Sequence, residues 1–431
     1  MKQLKATRRV LIGAGAAVAV GAAAFGASAF FKDRKPSEFN ARLIVGSDTD
    51  NSIAVQWEGN GSWYLELRKS GSRDAKRFTP QPDSYTVKGR TYHLQTVRIA
   101  GLHPSTTYEY QITGPNDERS GWTAFRTSDL ENCRALIFPD SQSNDRYKTW
   151  EGVYNGALGR TPDIDFTCNM GDLVDCGAWL DHWDYWFSAV KGGISRIPVA
   201  VVMGNHDTYD MDSKTRVAEP VMFLHSFPVP DNGSENFRRW YYTFDSGPVH
   251  FIVLNTEWQE ADLLRPGLLS EMKTWFRNVA SKTDKPWSVV LMHRDVLYYK
   301  IKGRKRANET FDEVGKELMP LFDEAGVDLV LTAHLHTYRR RDHIKAFARS
   351  EDGPLYNNSI CLSAFICCMT GVAGNIRYPD FWIDHPLDVK IAPQPETDNY
   401  LLLDATGQSL SLKTLLPNGN EIDSVTLTKN T

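Results

Sequence analysis

Five short fragments rich in metal-ligating side chains each follow a hydrophobic run in this chain. They are Asp140-Ser141-Gln142, Gly171-Asp172-Leu173-Val174-Asp175, Gly204-Asn205-His206-Asp207, His293 after Val289-Val290-Leu291-Met292, and His334-Leu335-His336. Taken singly, each reads as a turn beside a core strand or an exposed histidine. Together and in this order they specify a centre of two metal ions. Two cations about 3.5–4 Å apart need a bridging carboxylate and a mixed shell of oxygen and imidazole donors. Asp172 is the natural bridge, because Gly171 before it lets backbone come close. Asp140 and His336 are expected on the first cation, and Asn205, His293 and His334 on the second. If 334–336 is extended, its two imidazoles share one face and each reaches one cation. Asn205 adds coordination without adding charge. His206, beside a ligand but not itself one, is the expected proton donor, with Asp207 orienting its imidazole and holding it cationic. The expected nucleophile is a metal-bound hydroxide.

The pattern of the elements that carry these residues changes twice along the chain. Residues 42–45, 52–57, 63–68, 92–99, 107–113 and 122–126 alternate or are β-rich, with Gly-, Asn-, Ser- and Pro-rich turns between them. Several such strands in so short a stretch predict a β-sandwich. After Ser128, apolar strands at 135–138, 166–170, 199–203, 250–254, 288–292 and 328–332 alternate with helices, including 179–191, 266–280 and 309–325. That rhythm predicts a layered α/β domain, whose sites form at the carboxyl ends of its strands. All five fragments fall on that one rim. Residues 399–431 return to short strands around the turn Pro417-Asn418-Gly419-Asn420, read as an edge hairpin without site residues.

With 431 residues, the chain has room for two domains and a tail. A formal net charge of -4 gives no basic field, so nucleic acid is not expected as an obligatory partner. Cys133, Cys168, Cys176, Cys361, Cys367 and Cys368 lack paired zinc spacing and read as small buried hydrophobes, although an oxidising compartment also permits a disulfide. Lys2, Lys5, Arg8 and Arg9 precede an Ala/Gly/Val-rich apolar stretch and the triplet Ala27-Ser28-Ala29. This is the layout of a secretory signal over 1–31, and Thr7-Arg8-Arg9-Val10-Leu11 resembles the twin-arginine kind. The other reading of the same stretch is an uncleaved membrane anchor. Either way the body is expected outside the cytoplasm, periplasmic or extracellular.

The ordered fragments resemble those of the calcineurin-like metallophosphoesterases. The β module in front, the hairpin behind and the stretch around His334-Leu335-His336-Thr337-Tyr338 are similar to the purple acid phosphatase-like branch. The resemblance implies a small all-β fibronectin type III-like sandwich over 38–128, ahead of an α/β catalytic domain over 133–398. That domain is a layered β-sandwich metallophosphoesterase core flanked by helices. It also implies two metal ions (iron, manganese or zinc) and hydrolysis of phosphate monoesters or diesters. Ile99 to Tyr110 is similar to the E–F corner of such a sandwich, where a tyrosine bonds back across the turn. Three positions depart from the family. Gln142 stands where a histidine is common, binding by its amide oxygen or holding a water. Asp175 stands where purple acid phosphatases place a metal-binding tyrosine, and Ala333 stands for a glycine. Without that tyrosine an iron–tyrosinate centre is not expected. The second reading is a non-catalytic surface binding protein whose metal site has decayed, which only Gln142 favours. Trp179, Trp183 and Trp186 are expected to pack an amphipathic helix face rather than wall a cleft. The basic runs 300–306 and 339–341 read as solvated loops or as a field steering an anionic substrate. His225, His250 and His385 are read as structural.

Overall fold

Residues 39–115, 119–297, 311–358, 385–391 and 397–429 are described in the computed structural model. The signal or anchor at 1–31, the basic run 300–306, Cys361, Cys367, Cys368 and residues 378–382 lie outside the described residues. Along Tyr64–Lys69, Leu65 and Leu67 are buried while Glu66 and Arg68 are not, the period of a half-buried strand. This strand pairs antiparallel with Lys76–Phe78 and with Thr107–Thr113, which in turn pairs with Thr123–Arg126. Leu65, Tyr110, Ile112 and Phe125 of that sheet share an apolar cluster with Leu43, Val55, Trp57 and Val97. The corner tyrosine is Tyr108, whose hydroxyl accepts a hydrogen bond from the His103 N–H at 3.0 Å.

The second layer of the small module continues beyond it. Arg42–Val45 pairs antiparallel with Ile53–Glu58 and parallel with Val199–Val201, Ile44 standing opposite Val199. Among the described residues one ten-stranded sheet therefore runs from the N-terminal module into the α/β part. Its strand order is Glu421–Thr428, Ser409–Leu415, Tyr400–Thr406, Asn132–Phe138, Phe166–Asn169, Val199–Val201, Arg42–Val45, Ile53–Glu58, Arg90–Ile99 and Gln81–Val87. The join works because Arg42–Val45 is apolar on both faces. Leu43 enters the small core, whereas Ile44 and Val45 enter the large one.

A second sheet holds Tyr242–Ser246, Val249–Val253, Trp287–Leu291, Leu329–Thr332, Leu355–Asn358 and Arg339–Lys345 in that order, with Ala348–Arg349 and Asp388–Ile391 each beside the last. The two sheets meet through aromatic contacts: the Phe166 ring lies edge-on to Phe244 at 5.1 Å and to Phe251 at 5.2 Å. Helices Lys148–Arg160, Leu180–Ile194, Leu268–Ala280 and Glu313–Ala325 bury apolar stripes against this double layer. Glu313–Ala325 starts where the Asp312 carboxylate accepts the Gly315 N–H, an N-cap that sets its first turn. The C-terminal segment forms three strands at one edge of the first sheet. Tyr400–Thr406 pairs antiparallel with Asn132–Phe138, so three strands extend the central sheet.

Candidate metal centre

Asn132–Phe138, Phe166–Asn169 and Val199–Val201 are adjacent and parallel, so Asp140, Asp172 and Asn205 leave neighbouring strands at one rim. Trp287–Leu291 and Leu329–Thr332 are likewise adjacent and parallel in the second sheet and deliver His293, His334 and His336. The turns after these strands are unusual. Asp172, His334 and His336 have φ of 47°, 69° and 54°, a left-handed conformation that L-residues adopt at a cost of about 1–2 kcal/mol. The 334–336 segment is therefore a bend and not an extended stretch. Its two imidazoles reach different neighbours through turn geometry rather than through strand alternation.

The side chains gather as two contiguous sets. In the first, His293 Nε2 lies 3.2 Å from Asn205 Oδ1, 3.3 Å from Asp172 Oδ2 and 3.3 Å from His334 Nδ1. Asp172, His293 and His334 thus present donor atoms within 4.8 Å of one another. In the second, His336 Nε2 lies 3.1 Å from Asp140 Oδ2 and 3.3 Å from the Gln142 amide nitrogen. The sets touch, since the Ser141 and Gln142 N–H groups both donate to the Asp172 carbonyl. The outer shell fixes the inner one. His293 Nδ1 is 2.9 Å from the Met170 carbonyl, which leaves Nε2 turned toward the other donor atoms. Backbone N–H groups of His334 and His206 hold Asp140 Oδ1 and Asp172 Oδ1. Trp186 Nε1–H donates to Ser141 Oγ at 2.9 Å and pins the loop between Asp140 and Gln142. Trp183 and Trp186 are buried, so this helix face is core, with one polar anchor under the centre, whereas Trp179 is the half-buried N-cap before the helix.

These donors fit cations. Asp140 Oδ2 and Gln142 Oε1 are buried oxygens without a hydrogen bond, atoms of the type that oxygen-seeking ions take up. The electrostatics agree. Burial raises the Asp172 carboxyl, but the charges of His293 and His206 outweigh it and hold the group below the ordinary carboxylate range. Burial likewise lowers His293, and Asp172 with Asp140 overrides it to about 10. This is a pocket that calls for positive charge. His334 is pushed well down by burial and then by Arg294 and His293, which keeps its lone pair available.

His206 lies beside these sets, and its orienting partner is not the one expected. Its Nδ1 is 2.7 Å from the Asp175 carbonyl and 3.4 Å from Asp175 Oδ1. Burial lowers the imidazole, while Asp172 and Asp175 carry it up to about 9. Asp207 instead spends its carboxylate on backbone: Oδ1 accepts the Leu173 and Val174 N–H groups, and Oδ2 accepts that of Gly204. It ties two site loops together and does not orient the imidazole. Asp175, read from sequence only as a missing tyrosine, is the residue behind His206. The signal for it was present as a second acid three positions after Asp172. The arginines past His336 are not a steering patch. Arg339 pairs with Asp388, Arg341 with Asp295 and Arg340 with Asp423. His225 and His250 pair with Asp83 and Asp245, away from the centre. Cys133, Cys168 and Cys176 are buried thiols.

Close packing of these loops leaves no room for side chains at two glycines. A Cβ on Gly171 would stand 2.5 Å from His293 Nδ1, and one on Gly204 would stand 2.2 Å from Asp172 Oδ1 and 2.3 Å from its backbone nitrogen. Gly204→Ala is expected to cost about 2 kcal/mol of stability, the usual price of forced overpacking, and to lower bound metal. Denaturant unfolding and elemental analysis of the purified variant check both. Unchanged values would show that the loop yields freely.

Known proteins share this architecture. A family model described as calcineurin-like phosphoesterase matches residues 128–338, and one described as purple acid phosphatase, N-terminal domain, matches residues 39–127. Purple acid phosphatase 23 of Arabidopsis thaliana is 27% identical over 73% of this chain and 72% of its own length. Purple acid phosphatase 15 of the same plant is 23% identical over 61% of this chain, which spans about half (52%) of that relative. The solved structure of a purple acid phosphatase from yellow lupin seeds superposes with a TM-score of 0.73 over 90% of this chain and 74% of that one, at 17% identity.

Proposed function

We infer that this chain, which belongs to the calcineurin-like phosphoesterases and carries a purple acid phosphatase N-terminal domain, is a metal-dependent hydrolase of phosphate monoesters or diesters. The observation that supports it best is the convergence of Asp172, Asn205, His293 and His334 donor atoms on one point, with Asp140, His336 and Gln142 beside them. In this reading Asp172, Asn205, His293 and His334 hold one cation, and Asp140, Gln142, His336 and the shared Asp172 hold the other. When bound, such a pair supplies Lewis acidity toward a phosphoryl oxygen and toward the attacking water. The protein's own groups do the rest. His206, held by the Asp175 carbonyl and charged through neutral pH, gives a proton to the departing alkoxide and neutralises charge on the phosphoryl group. The Asp207 carboxylate keeps the Gly204 and Leu173 turns together, so the imidazole and the ligands keep their spacing. With Asp175 turned to His206, no tyrosinate is available to an iron at the first position. The cations are iron, manganese or zinc. Residues 1–31 complete the proposal as a twin-arginine-like export signal or anchor that places this chemistry in the periplasm or outside the cell.

Chelation tests it. Protein stripped of metal is expected to lose hydrolysis of p-nitrophenyl phosphate and of its bis-ester, and to regain it with added manganese, zinc or iron. The ratio of the two esters then separates monoesterase from diesterase. Stoichiometric metal without turnover on either ester would leave the non-catalytic binding protein as the reading.

A further inference from the structure

We propose that Tyr209 is a positioning residue of this centre, whose hydroxyl holds the Asn205 amide so that its oxygen, not its nitrogen, is offered to the cation. The proposal rests on the metallophosphoesterase reading above. Asn205 Nδ2–H donates to Tyr209 Oη at 2.7 Å, its only acceptor among the described residues, and on the other side of the same amide Oδ1 stands 3.2 Å from His293 Nε2. An amide ligand has a weakness that a carboxylate lacks. Its two ends have nearly the same shape, yet only the oxygen carries lone pairs that can coordinate. Giving the NH2 end a fixed acceptor removes its freedom to turn, and it also pushes electron density toward the oxygen.

The phenol is itself fixed. The Tyr209 N–H donates to the His206 carbonyl, its own carbonyl accepts from Ala178 N and Cys176 Sγ, and its ring centroid lies 4.6 Å from that of His206. One side chain therefore braces a ligand with its hydroxyl and packs on the proton donor with its ring. Tyr209→Phe removes the first contact and keeps the second, so it separates the two.

The experiment is a calorimetric titration of metal-free protein with Mn2+ alone. In Tyr209→Phe, one of the two binding events is expected to weaken about tenfold, as losses behind a ligand commonly do, while the other stays unchanged. In an Asn205→Asp background the same Tyr209→Phe change is expected to cost nothing, because a carboxylate presents an oxygen whichever way it turns. Equal affinities for wild type and Tyr209→Phe would overturn the proposal. So would an equal weakening of both events, or the same loss in the Asn205→Asp background. A wild type that binds no Mn2+, zinc or iron would remove the metal reading itself and this proposal with it.

Discussion

His206→Ala is expected to lower kcat for an alkyl phosphate by about a thousandfold while both metals stay bound, because it removes a proton donor and a cation at once. The substitution is clean. The imidazole coordinates nothing in the ligand sets, and the backbone N–H that holds Asp172 Oδ1 survives in alanine. Leaving-group dependence sharpens the test. An ester whose alcohol leaves readily as an anion needs little protonation, so its kcat falls much less than that of an alkyl phosphate. Asp175→Asn is the milder companion, since the Asp175 carbonyl still accepts from Nδ1 and only the carboxylate charge is lost. Elemental analysis and steady-state rates on the two ester classes decide it. A kcat within threefold of wild type would strip His206 of the role, and loss of metal would recast it as structural.

That these side chains converge was legible because their chemistry is written in residue type. Carboxylate, amide and imidazole donors each stand directly after an apolar run, and an α/β sheet sends such positions to one rim. What sequence could not give was the partner of each side chain. Asp207 follows His206 directly, and adjacency suggested that it orients the ring. Yet the turn after Asn205 aims the Asp207 carboxylate back at the Gly204 N–H, and the ring meets Asp175 from another loop. Likewise His-x-His reads as strand alternation only if the backbone is extended, and positive φ at both histidines rules that out. Tyr209 carried no signal at all, since a tyrosine four residues past an asparagine is ordinary until their side chains are seen to meet.

Fold legibility followed the same division. Strands with one wet face, such as Tyr64–Lys69, announce themselves by alternation. Arg42–Val45 is buried throughout, and nothing local in it says that one edge pairs with Val199–Val201 more than 150 positions away. The helix Lys148–Arg160 was missed because Gly152, Gly156 and Gly159 dilute its pattern, although Trp150, Val153, Tyr154 and Ala157 form its buried face. Gln81–Val87 was hidden by Pro82, which an edge strand tolerates. Trp179, Trp183 and Trp186 were read as core; burial bears this out for the last two, while Trp179 is the half-buried N-cap. What periodicity could not show is that Trp186 also hydrogen-bonds the loop of Asp140.

Asp172→Asn is expected to abolish stoichiometric metal binding and turnover, and also to change how the metal-free protein responds to pH. Asp172 is 1% exposed, and its lowered carboxyl faces the charges of His293 and His206, raised to about 10 and about 9. A carboxylate lowered in the folded state stabilises it above its unfolded value of about 4, and that contribution is lost as pH falls. An imidazole raised from about 6.5 stabilises fully below that value, and its contribution is lost as pH climbs through the folded value. The unfolding temperature of metal-free wild type should therefore decline on the alkaline side between about 6.5 and 10. With asparagine at 172 the charge that most supports both imidazoles is gone, so His293 and His206 release their protons earlier. The alkaline decline then still begins at about 6.5 but ends nearer neutrality and is smaller in total. Cations give the complementary readout. Mn2+ at a hundred times its dissociation constant stabilises wild type by about 2.7 kcal/mol, whereas Asp172→Asn should show almost none of that gain. A metal-induced shift of equal size in the variant would mean that the cations are held elsewhere.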